Sequence, residues 1–107
     1  MNSQINPMLF ALNDLDKTTD RLIEALQNSD TDKAHEAISI MLMQGMDHFG
    51  PDHIAMQQFF PVWNIIKGHI DGQNIVGALF QTETWQSQLH EIIVIVSNKV
   101  DLSQSAG

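Results

Sequence analysis

The chain has 107 residues, no cysteine, and thirteen acidic against five basic side chains, a formal net charge of −8. That length suits one domain, 43% hydrophobic residues can fill its core, and the lack of cysteine excludes disulfides, thiolate nucleophiles, zinc fingers and iron–sulfur sites. Five scattered cations, Lys17, Arg21, Lys33, Lys67 and Lys99, make no basic stripe, which argues against direct nucleic-acid binding and an anionic membrane surface.

The first predicted helix covers residues 7–28. Asn6 can cap the free amides and Pro7 suits the first helical position. Met8, Leu12, Leu15, Leu22 and Leu26 recur at helical spacing, with Leu9 and Ile23 widening the stripe. Asp16, Asp20 and Glu24 stand four apart on another face. Residues 28–32 read as a turn whose side chains can cap the next helix.

A second helix is expected over residues 32–49, on the stripe Ala34, Ile38, Met41, Leu42, Gly45, Met46 and Phe49. Gly45 weakens it by roughly 1 kcal/mol, a cost that close approach of another helix would explain. Gly50-Pro51 ends it. The third helix starts near Asp52, a suitable cap, and carries Phe59, Trp63, Ile66 and Ile70 on one stripe across Pro61. A proline there removes an amide and clashes with the preceding turn, which predicts a kink.

A break is expected near Asp71-Gly72, then a short helix over 75–81 that continues into, or turns toward, the last. The last helix is placed at 83–100, capped by Thr82, on Trp85, Leu89, Ile92, Val96 and Val100. The run Ile92-Ile93-Val94-Ile95-Val96 suits a buried strand equally well, but no second run offers a partner. The expected fold is therefore all-α, an irregular antiparallel bundle of four to five helices. Residues 1–102 form the single helical domain and 103–107 a disordered tail. No window approaches the roughly 18 apolar residues of a membrane span, and the start lacks a signal-peptide pattern. A soluble, cytoplasmic protein is expected.

The densest polar cluster is Asp47-His48-Phe49-Gly50-Pro51-Asp52-His53, whose two Asp-His pairs could surround a divalent metal. Its spacing is not the four-residue step of two helical ligands, however. Helix ends account for all of it but Asp47, which sits at the wrong end for the helix dipole. Met41, Met43, Met46 and Met56 invite a copper reading, yet methionine at this spacing is more often core or adaptable binding surface. No metal site and no cofactor are assigned.

Catalytic sets are missing as well. There is no G-x-S-x-G elbow, and Ala78-Leu79 follow the last glycine where a Walker loop needs Lys-Ser or Lys-Thr. The fragment Ile66-Lys67-Gly68 is similar to phosphotransfer domains, but their phosphorylated histidine would fall at Asn64. No enzyme activity is expected.

What remains is surface. Met43, Met46, Phe59, Phe60 and Trp63 are the candidate partner-binding residues, because methionine and aromatic side chains dominate binding hot spots. Phe59 and Trp63 suit the core better, while Phe60 sits beside the stripe. In helix length and apolar patterning alone, residues 7–100 resemble the small acidic helical chaperones of bacterial secretion and flagellar export. That resemblance implies shielding of a partner's amphipathic helix. The expected function is a non-catalytic protein-binding module, an adaptor or chaperone, with homo-oligomerisation possible. The first alternative is an acidic inhibitor or nucleic-acid mimic filling a basic cleft on its target with Asp16, Asp20, Glu24, Asp30 and Asp32. The second is metal or small-ligand binding around His48 and His53.

Overall fold

The computed structural model describes residues 6–106, with side chains described over 6–99, and shows four α-helices and no strand among them. α1 is Pro7–Gln27, α2 Thr31–His48, α3 Ile54–Asp71 and α4 Ile75–Ala106.

α1 opens as its sequence demands. The Asn6 side chain accepts from the amides of Met8 at 2.9 Å and Leu9 at 3.2 Å, and Pro7 follows. The helix buries Leu12, Leu15, Leu22 and Leu26, together with Thr18 and Thr19, which its apolar periodicity does not reveal. Both hydroxyls are satisfied. Thr19 donates to the Leu15 carbonyl at 2.7 Å and accepts the Trp85 indole N–H at 3.0 Å, which ties α1 to α4. Thr18 bonds the Asp14 carbonyl and the Gln44 side chain.

α2 is capped by Asp30, whose carboxylate accepts from Lys33 N. It turns small residues inward: Ala34, Ala37 and Gly45 are buried along with Ile38 and Met41. A Cβ on Gly45 would stand 2.5 Å from Met56 Sδ and 3.0 Å from the Trp63 ring, so glycine lets α3 close on α2. The expected stripe is corrected here, since Leu42 and Met46 are exposed. Phe49 caps the helix and Gly50, at φ +88°, takes the left-handed turn.

α3 begins one residue later than expected, because His53 rather than Asp52 is the cap, its Nδ1 accepting from Ala55 N at 3.0 Å. The helix runs unbroken across Pro61 and buries Met56, Phe59, Trp63, Ile66 and Ile70. It stops at Asp71 with Gly72 as cap, where the break was expected.

The cap expected at Thr82 is overturned, as α4 is one helix from Ile75. Thr82 is fully buried inside it, its hydroxyl returned to the Ala78 carbonyl at 2.7 Å. Asn74 caps instead, accepting from Gly77 N at 3.0 Å. The helix is assigned to Ala106, across most of the stretch expected as a tail, whose side chains and Gly107 lie outside the described residues.

Cross-helix pairs give the topology. Thr18 meets Gln44 while Asp14 meets His48, and Asp20 meets Gln86 while Asp16 meets His90. Likewise Gly45 lies against Met56 and Trp63 while His35 reaches Asp71, and Phe59 and Trp63 meet Trp85. The α1–α2, α1–α4 and α2–α3 pairings each reverse direction, which leaves α3 antiparallel to α4 as well, as in an up-down-up-down bundle. Among the described residues α1 and α3 each pack on α2 and α4, and neither diagonal pair packs. The centre is aromatic, with Phe59 and Trp63 edge-on to Trp85 at 4.9 and 5.6 Å between ring centroids.

Candidate apolar groove between the second and third helices

Close approach at Gly45 has a consequence for the outer surface. With glycine at the point where α2 and α3 close, the larger side chains of Leu42 and Met46 are left outside the seam. Met56, Gln57, Phe60 and Pro61 of α3 line the same hollow, joined by Pro51 from the intervening turn. Together these seven residues line an open groove of ≈ 560 Å³ in which Gln57 is the only polar side chain.

The five expected partner-binding residues divide three ways. Met46 and Phe60 line the groove, Phe60 with 41% of its surface exposed. Met43 is exposed on α2 but does not line the groove. Phe59 and Trp63 belong to the core, at 6% and 2% exposure, and cannot reach a partner without opening the bundle. Leu42, Pro51, Met56, Gln57 and Pro61 were not expected in the site. For Leu42 the available signal was the small residues Ala34, Ala37 and Gly45, which mark the side of α2 that faces inward.

Pro61 adds a polar feature to the apolar lining. It has no amide to give the carbonyl four residues back, on Gln57, so a helix-interior acceptor beside the groove lacks its usual donor.

The two histidines of the Asp-His pairs have other partners. His48 Nε2 bonds Asp14 Oδ2 of α1 at 3.0 Å and its ring meets Phe10 edge-on. His53 caps α3, and its Nδ1 is occupied by the Ala55 amide. Among the described residues no three His, Asp or Glu side chains are grouped to hold a metal.

The acidic residues expected to fill a basic cleft are likewise divided. Asp16 and Asp20 turn to α4, where they accept from Gln86, and Asp16 also pairs with His90 at 2.8 Å. Glu24 and Asp30 border a second hollow, of ≈ 350 Å³, that also contains Arg21 and Lys33. No described helix is long and apolar enough to cross a membrane. No known protein family, curated protein or solved structure matches the chain.

Proposed function

We propose that the chain is a non-catalytic protein-binding module, adaptor- or chaperone-like, that holds the apolar face of a partner helix in the α2–α3 groove. The observation that carries this reading is the groove itself, whose lining is apolar at six of seven positions. An amphipathic helix presents apolar residues at i, i+3, i+4 and i+7, and such a trough accepts that row. Methionine at two positions, Met46 and Met56, lets the wall adapt to the side chains it receives. A bend of α3 at Pro61 would hold the groove open, and the Gln57 carbonyl would accept from a polar group on the partner.

Capture of partners from nuclease-treated lysate of the source organism, washed at low and at high salt, tests the reading when the Phe60→Asp chain is run beside the unaltered one. The expected result is a stoichiometric protein that survives high salt and is lost with Phe60→Asp, since apolar burial is little screened. Equal capture by both chains would overturn the groove as the site. A partner released by salt from both would favour the acidic inhibitor or mimic instead.

A further inference from the structure

The long fourth helix carries a second, independent surface. At 32 residues α4 extends about 48 Å, whereas α3, at 18, extends about 27 Å. Phe59 already stacks on Trp85, and α3 starts at Ile54, so α3 covers α4 only to about residue 92. Beyond that point the run Ile92-Ile93-Val94-Ile95-Val96 continues. Apolar side chains at five consecutive positions point all around a helix, and the bundle can cover one side. Ile92, Ile93 and Val96 pack against the core, while Val94 and Ile95 are left 56% and 53% exposed.

The charges around this patch are arranged to match themselves. Glu91, Ile95 and Lys99 stand four apart, all exposed, and so form one ridge on the outer face of α4. Neither Glu91 nor Lys99 has an ion pair among the described residues. Eight residues, about 12 Å of helix, keep them from pairing with each other. The commonest helix crossing, near −50°, aligns such four-residue ridges on both helices. Laid antiparallel against its own copy about a two-fold axis just beside Ile95, so that the two ridges lie side by side, this ridge sets Glu91 beside the second chain's Lys99 twice, with Ile95 next to Ile95.

We infer that the exposed face of α4 around Ile95 is a homodimer interface, two copies crossing antiparallel at this ridge. Sliding the axis to Ser87 would bring the exposed Phe80 beside Val94, but the ridge there is Glu83-Ser87-Glu91 and sets Glu83 beside Glu91 twice. Like charges disfavour that register. A single crossing buries modest area, so the dimer is weak and depends on concentration. It involves none of the groove residues, and two copies would display two grooves.

Sedimentation equilibrium of the full chain from about 10 to 300 µM tests this, since assembly follows mass action. The unaltered chain is expected to shift from monomer to dimer. Ile95→Asp is expected to stay monomeric with unchanged far-UV circular dichroism, because the side chain it replaces is exposed. Glu91→Lys should weaken the dimer by about tenfold or more, and Glu91→Lys with Lys99→Glu should restore it, because the exchanged pair attracts again. That rescue decides the matter even if Ile95→Asp disturbs folding. A monomer at the highest concentration, a dimer unmoved by Ile95→Asp in a folded chain, or a double exchange that restores nothing would each overturn the proposal. Loss of dimer with Phe60→Asp would place the contact in the groove and overturn it too.

Discussion

Ser29 and Gln73 hold left-handed backbone, at φ 56° and 59°, where L side chains are strained. Each closes a helix in the same way. After α1 the amides of Ser29 and Asp30 return to the carbonyls of Leu26 and Ala25. After α3 those of Gln73 and Asn74 return to Ile70 and His69, the double bond of a Schellman ending. The glycine near the second ending, Gly72, occupies the preceding position at φ −84°, which any residue adopts. Gln73→Gly is therefore expected to stabilise the fold by about 1 kcal/mol, seen as a higher urea midpoint at unchanged slope. Ser29→Gly should act in the same direction. The break at Gly72 was readable in the sequence; which residue carries the strain depended on where the last turn of α3 ends.

At the scale of the helix, Gly45 and Pro61 act on the same pair of elements in different ways. Gly45 removes side-chain bulk from the seam so that Met56 and Trp63 can press against the α2 backbone. Pro61 removes a hydrogen bond from the outer part of α3 without ending the helix. Because Pro61 is exposed, Pro61→Ala fills no core volume and restores the bond to the Gln57 carbonyl. It is expected to raise stability by about 1–3 kcal/mol in urea denaturation. It should at the same time weaken capture of the groove's partner, if a bend at Pro61 holds the groove open. Unchanged capture by a stabilised Pro61→Ala chain would remove the proline from the binding mechanism and leave its place in the fold as the whole of its role.

For the molecule as a whole, neighbouring phenylalanines separate the core from the surface. Phe59 lies against Trp85, Trp63 and Phe49, whereas Phe60, one residue on, opens to the groove. Phe59→Ala should cost about 3–5 kcal/mol, as loss of a buried aromatic does, and lower the thermal midpoint by many degrees. Phe60→Ala should cost under about 1 kcal/mol while impairing partner capture. Similar losses of stability from the two would mean that Phe60 supports the bundle rather than a partner.

The local patterning determined an all-helical chain of four to five helices, the Asn6 cap, the closing glycine at Gly50 and the core stripe of α3, because caps, turns and 3.6-residue periodicity are decided within a few neighbouring residues. It also separated Phe60 from Phe59 and Trp63, since 100° of helical rotation puts adjacent side chains on different faces. Periodicity alone could not say that Leu42 and Met46 fall outside the α2–α3 seam, that Thr82 is interior to α4, or that His48 is bonded to Asp14. Those outcomes depend on how close two helices come, on how far one outlasts its neighbour, and on which polar atoms packing brings within 3 Å. Such quantities belong to pairs of elements distant in sequence, and only the tertiary structure decides them.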